Sequence, residues 1–231
     1  HFLVAKLCKV KVNEFAIGFG KKIWQKQGKE TTYTIRMVPL GGFCAMEGED
    51  EESDDEASFA KANVWKRIAI VLAGATVNII FGILVYFILM ATAGIEFANP
   101  AMDTILNRIY YAGQATGTFI LTMFESIKML FTGGLATDQM VGIVGISEIV
   151  VNTNGILNYI YLLSVISVSL GVTNLLPIPA LDGGKLVILL IEVIRRKPMK
   201  LETEAKIQLI GFSLLMAIFL LVTYNDIVRI I

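Results

Sequence analysis

Apolar and polar positions divide this chain into blocks. From Ile68 to Ile95 no side chain is charged, a run longer than the ~20 residues an α-helix needs to cross a hydrocarbon core, and it predicts a transmembrane helix. A second uncharged run, Ile149 to Leu181, contains Asn152, Asn154, Asn158 and Asn174 and ends in prolines. Its membrane helix is predicted at about Leu157 to Leu175. Pro177 and Pro179 then break it, because proline removes a backbone donor and kinks a helix. A third run, Ile207 to Asn225, predicts a final span. Ile109 to Phe131 is interrupted by Glu125 and Lys128 and reads as an interfacial amphipathic helix.

Ahead of the first span the period changes. Phe15, Ile17 and Phe19 alternate with other positions, as do Tyr33, Ile35 and Met37 against Thr32, Thr34 and Arg36, with a polar KQGKE turn between them. A period of two predicts strands, here a β-hairpin or small sheet near the inner membrane surface. The run Glu47 to Glu56 then has eight acidic residues and no apolar side chain. Like charges repel and build no core, so it reads as a solvated linker, with docking or metal buffering as the alternative.

Composition sharpens the class. Hydrophobic residues are 55% of the 231, charged residues 17%, and the mean hydropathy is +0.67, which is too apolar for an ordinary soluble domain and predicts an integral membrane protein, mainly α. The formal net charge is zero, so nothing indicates a nucleic-acid partner; the bilayer is the expected partner. Charge position carries more than charge total. Lys61, Lys66 and Arg67 precede the first span, and Arg195, Arg196, Lys197 and Lys200 lie between the last two, which predicts a cell-membrane protein with both loops cytoplasmic. Cys8 and Cys44 have no metal-site or disulfide spacing and read as reduced thiols. Gly74 and Gly82 suit close helix packing, while Trp24 and Trp65 suit interfacial anchoring.

The candidate chemistry lies in NLLPIPALDGGKL, residues 174 to 186, where a lone carboxylate, Asp182, stands before a glycine pair. One reading is an N-cap for the helix that follows. The other is functional, because an ionisable group near membrane depth is costly and usually serves a site. A serine nucleophile would need a general base, and His1 is the only histidine. A hydrolytic zinc centre takes three protein ligands; His1 and Asp182 offer two, and the third is not in this sequence. Glu192 is a weaker ligand candidate, expected at a helix end.

HFLVAK, His1 to Lys6, is similar to the end of an H-E-x-x-H-F-x-x-A-K motif, and NLLPIPALDGG resembles the N-x-x-P-x-P-x-L-D-G-G segment of the site-2 protease family of intramembrane zinc metalloproteases, in its regulator of sigma-E protease-like branch. VPLGGF (38 to 43), AGATVN (73 to 78) and GIVGI (142 to 146) are similar to three further motifs of that family, in the same order. Ala75 and Ile143 stand where those motifs have proline. The resemblance implies three to four transmembrane or interfacial helices around a Zn2+ site, with His1 and Asp182 as ligands. It implies that Pro177 and Pro179 shape the ligand-bearing segment, and that Asn174, Gly41, Gly42 and Asn78 bind substrate or shape the site. The substrates implied are single-pass membrane proteins such as membrane-anchored regulators, cut by a zinc-activated water. The general-base glutamate and first histidine would precede His1, so no catalytic base is present and the chain as written is catalytically incomplete, as if its natural beginning were missing.

The expected organisation is the end of a first membrane helix (1–9), a membrane-associated hairpin region (10–46), an acidic linker (47–60), a membrane helix (61–95) and a short connection where the family's branch usually has a PDZ domain (96–108). There follow an amphipathic helix and loop (109–148), a helix ending in the broken segment (149–197) and a final span (198–231). Two other functions fit the same features: a transporter or channel with an ion site at the broken helix, and a non-catalytic scaffold of the same fold. A transporter of that kind would show two related halves, and the sequence has no internal repeat.

Overall fold

The computed structural model describes residues 1–49, 51–94, 103–132 and 142–230. A short helix α1 (Phe2–Leu7) leads into two strands, β1 (Val12–Gln27) and β2 (Thr32–Met46), and then six longer helices. These are α2 (Val64–Leu89, continued by a π turn over Met90–Gly94), α3 (Ile105–Thr132), α4 (Ile143–Asn152), α5 (Ile156–Asn174), α6 (Asp182–Arg195) and α7 (Leu201–Ile230). Among the described residues three stretches are long and apolar enough to cross a membrane: Val64–Gly94, Ile156–Asn174 and Leu201–Val228. The protein is therefore mainly helical with a small antiparallel sheet and three candidate spans, as the apolar runs predict.

The chain forms two compact units, residues 1–75 with 174–211, and residues 76–173 with 212–231. In the first, Ala5 of α1, Val12 of β1, Met46 of β2, Ile70 and Val71 of α2 and Leu189 of α6 bury one core together with Phe59. The sheet is more than a simple hairpin. Lys22 to Gln27 pair with Arg36 to Thr32 as hairpin partners, while Glu14 to Ile17 lie between two stretches of β2, pairing with both Thr32 to Ile35 and Ala45 to Gly42. Gly18 makes the fold-back possible: its φ is +88°, and a Cβ there would fall 2.6 Å from the Val38 carbonyl oxygen. Alternation predicts one buried face; instead only the part of β1 up to Gly18 has buried residues, and beyond it Ile23 and Trp24 are exposed.

The acidic run departs from the linker expectation, apart from Asp50, which lies outside the described residues. Glu47 accepts from Asn13 (2.8 Å) and Ser53 (2.6 Å), Asp55 pairs with Lys11 (2.8 Å), and Glu49 pairs with Lys185 of α6 (2.6 Å). The segment ends on Phe59, 1% exposed. Pairing with lysines relieves the like-charge repulsion that suggested a free linker, and Phe59 anchors the segment.

In the second unit Gly82 of α2 lets α5 approach, since a Cβ there would lie 2.7 Å from the Ser164 carbonyl oxygen. Ser167 donates to the Asn78 backbone carbonyl (2.9 Å), and Tyr86 stacks on Phe119 of α3 at 4.3 Å between ring centres. Asp226 of α7, 2% exposed, accepts from the backbone N–H groups of Gly142 (3.0 Å) and Gly145 (2.9 Å) and so caps α4. Three element boundaries differ from those read in the sequence. Residues 105–108, expected in a connection, already belong to α3; α4 begins inside the expected loop; and α4 and α5 are separate helices, parted at Thr153 to Gly155. Most of the expected 96–108 connection lies outside the described residues.

Candidate metal centre

His1 stands at the start of α1, its carbonyl accepting from Ala5 N–H (2.9 Å). Its Nδ1 lies 2.8 Å from the carbonyl oxygen of Ile70 in α2. A carbonyl only accepts, so Nδ1 carries a proton, and in the neutral ring the lone pair lies on Nε2. The ring lies directly against Gly74, one turn further along α2, where a Cβ would fall 2.2 Å from Nε2. Gly74 therefore seats the imidazole, whereas the sequence suggested only helix packing.

Asp182 comes to Nε2 from the far side of the chain: its Oδ2 is 3.3 Å away. The helix-cap reading is not what the structure shows. Leu181 occupies the N-cap position in extended conformation with no side-chain cap, and Asp182 is already the first residue of α6. Its carboxylate is left to face the histidine, at the N-terminal end of α6.

The segment between α5 and α6 fixes where Asp182 goes. Asn174 closes α5, and Leu175 to Leu181 then fold back over the first turn of α6. A Cβ on Gly183 would lie 2.2 Å from the Leu176 carbonyl oxygen, and one on Gly184 2.3 Å from that of Ile178. Both approaches are to backbone, so neither position admits a side chain. Within the turn Ile178 N–H donates to Leu176 (2.7 Å) and Leu181 N–H to Ile178 (3.2 Å). Pro177 and Pro179, which have no N–H, leave no donor unpaired. Two residues of α7 complete the clamp. Gln208 accepts from the N–H of Ala180, a non-glycine residue held at φ +74°, and Gly211 abuts Pro179, where a Cβ would come within 2.4 Å.

Beside Asp182 is a cavity of about 220 Å³ lined by Glu49, Ala180, Asp182, Lys185, Glu204 and Gln208. Lys185, one turn beyond Asp182, is held by Glu49 at 2.6 Å and lies 4.9 Å from the Phe59 ring centre. Glu192 is not at this site. It is buried, pairs with Arg67 (2.6 Å) and accepts the Met199 N–H (2.7 Å). Asn78 lies in the second unit; Gly41 (φ +85°) and Gly42 lie in β2, where a Cβ on Gly42 would fall 2.4 Å from the Ala16 carbonyl oxygen.

The donors fit a zinc ion. With bonds of ~2.0–2.1 Å, two ligands of a tetrahedral zinc stand ~3.3–3.4 Å apart, which matches the 3.3 Å between Nε2 and Oδ2, whereas a direct charge-assisted hydrogen bond would be nearer ~2.7–2.9 Å. The tautomer agrees, with the second ring nitrogen donating to a backbone carbonyl as ligating histidines do. Among the described residues no group of three or more His, Cys, Asp or Glu side chains is placed to hold a metal, so those residues offer two donors.

Ile70, Gly74, Lys185, Gln208 and Gly211 were not read from the sequence as site residues. Gly74 alone carried a signal, within AGATVN; the others act through contacts that no local pattern announces.

A helical membrane protein that brings one imidazole and one carboxylate together beside a proline-broken helix defines the class. Residues 1–218 match Peptidase family M50, and the chain belongs to that family. It is 41% identical over 133 residues to the "Zinc metalloprotease RasP" of Bacillus licheniformis, covering 57% of this chain and 32% of that protein. It is 24% identical over 396 residues to the "Regulator of sigma-W protease RasP" of Bacillus subtilis, covering 99% of this chain and 94% of that one. That alignment is far longer than 231 residues, so the Bacillus subtilis protein has long segments with no counterpart here.

Proposed function

We infer that this protein is an intramembrane zinc metalloprotease that hydrolyses peptide bonds of membrane-anchored proteins, and that His1 and Asp182 are two of its zinc ligands. The observation that carries the ligand assignment is the tetrahedral-edge separation of Nε2 and Oδ2, with Nδ1 already committed to Ile70. When bound, zinc supplies Lewis acidity for attack on a scissile carbonyl. The residues of this chain hold and orient. Gly74 and the Ile70 carbonyl fix the imidazole plane, and the clamped segment 175–184 fixes the carboxylate. The third ligand and the general base are the H-E that an H-E-x-x preceding His1 would supply.

A helical peptide bond is shielded by its own hydrogen bonds, so the substrate must be extended before cleavage. β2 with Gly41 and Gly42 offers backbone for strand addition to such a segment, and Asn174, eight residues before Asp182, is suited to hold its main chain. The basic residues around Arg67 and Arg196 face the cytoplasm in this reading. The substrate class in this reading is membrane-anchored regulators, and a relative named as a regulator of sigma-W protease accords with a regulatory role.

The test is a chain extended to include H-E-x-x before His1, purified in detergent, with zinc measured by elemental analysis and cleavage measured on a single-pass membrane substrate. One zinc per chain and cleavage that is lost on chelation are expected. A folded protein without stoichiometric zinc would overturn the assignment, and a zinc-loaded protein that cuts no membrane substrate would leave the scaffold reading in its place. The transporter reading is set aside by the family match.

A further inference from the structure

A second cavity, of about 380 Å³, lies in the same unit and has no part in the chemistry above. It is lined by Val64, Arg67, Glu192, Arg196, Lys197 and Pro198, among others. We propose that this cavity is a binding site for the phosphate headgroup of an anionic phospholipid.

Three observations carry it. The first is charge: three cations line the cavity against one carboxylate, and that carboxylate is already engaged, one oxygen with Arg67 at 2.6 Å and the other with the Met199 N–H at 2.7 Å. Arg196 and Lys197 are exposed, and no ion pair is recorded for them among the described residues. The second is an unmet donor. The Arg67 side chain is 8% exposed; Glu192 holds one terminal nitrogen, the Phe59 ring covers the guanidinium at 5.1 Å, and Nε is buried with no hydrogen-bond partner. A buried N–H left unpaired is costly, and the held guanidinium keeps a fixed positive charge in the cavity wall.

The third is depth. The lining residues sit at the first residues of one candidate span, Val64–Gly94, and just before another, Leu201–Val228. Trp65, 63% exposed, is the neighbouring amphipathic side chain. Headgroups lie at this level, and basic pockets where membrane helices emerge take anionic ones. The apolar part of the wall, Val64 with Val193 and Pro198, is suited to the glycerol end of the lipid. A free phosphate ion shares the charge but has no use for that wall.

The test uses the whole chain in detergent, with native mass spectrometry after addition of phosphatidylglycerol or phosphatidylcholine. Arg196→Asn with Lys197→Gln removes the two exposed cations, asparagine being suited to the left-handed backbone of residue 196 (φ +54°). Arg195→Gln with Lys200→Gln removes the same charge from exposed neighbours outside the lining. Retention of phosphatidylglycerol at least ~10-fold above phosphatidylcholine is expected. It should fall by ~10-fold or more in the first double variant and stay within ~2-fold in the second. Equal loss in both variants would reduce the effect to diffuse surface charge. Equal retention of the two lipids, or displacement of the lipid by excess inorganic phosphate, would overturn the headgroup assignment. No arm depends on zinc or proteolysis, so failure here leaves the metalloprotease reading untouched.

Discussion

The two ends of α6 each carry a carboxylate, and the two are treated in opposite ways. Glu192, near the C-terminal end, is 6% exposed, and each of its oxygens has its own donor. Asp182, at the N-terminal end, is 27% exposed on its side chain, caps nothing, and faces a histidine at a distance too long for a strong hydrogen bond. The carboxylate that serves stability is buried and saturated; Asp182, in its proposed role as a zinc ligand, retains lone pairs and an open side. The same contrast separates the two cavities, since Asp182 borders one and the spent Glu192 the other.

Asp182→Ala should show the largest effect. Stoichiometric zinc and cleavage should both be lost in the extended chain, by more than the ~100-fold that even indirect perturbations of a metal site can cost, while the melting temperature of the metal-free protein changes little. Elemental analysis beside a thermal melt measures both; a variant that keeps its zinc would erase the contrast. Glu192→Ala is the mirror image. It strands Arg67 in a buried site and should cost ~3–5 kcal/mol of stability, with zinc per folded chain unchanged, as read by denaturant unfolding and metal content.

Gly184→Ala tests how Asp182 is delivered. The added methyl meets the Ile178 carbonyl, and relief of that overlap should cost ~1–3 kcal/mol and weaken zinc in a chelator competition, which would mark the segment as a positioning device. Gln208→Ala, which leaves the Ala180 N–H without its acceptor, should cost ~1 kcal/mol, while Gln208→Glu keeps an acceptor and should recover most of it.

The smallest effect is a pH dependence remote from the metal. Partial burial raises the Glu14 carboxyl, but the Thr34 hydroxyl and the Arg36 guanidinium, with Lys22 nearby, outweigh it and hold the group below its ordinary range. A lowered folded-state value means that its stabilisation is present above the unfolded value of ~4.3 and is lost as the pH falls through the folded one. Hydrogen-exchange protection factors in β1 and β2, taken relative to the intrinsic rate at each pH, should therefore fall below about pH 4, and Glu14→Gln should remove the dependence.

Much of this was legible in the sequence because membranes and strands impose periods. Uncharged runs located the three spans, alternation located β1 and β2, and NLLPIPALDGG located the broken helix and its carboxylate. Less legible were the features made by distant partners. The acidic run looked like a linker because its repulsion is local, while its counter-charges, Lys11 and Lys185, come from far along the chain. Asp182 looked like a cap because spacing cannot distinguish the N-cap from the residue after it.

The sequence by itself determined the class: an apolar helical chain, a proline break, one carboxylate next to two glycines and one histidine, because burial and backbone chemistry act residue by residue. Only the tertiary structure decided that the histidine and the carboxylate, 181 positions apart, stand 3.3 Å from each other. That distance depends on glycines at 74, 183, 184 and 211 letting backbone and ring surfaces touch, and close approach between distant segments is a property of shape that no local pattern encodes.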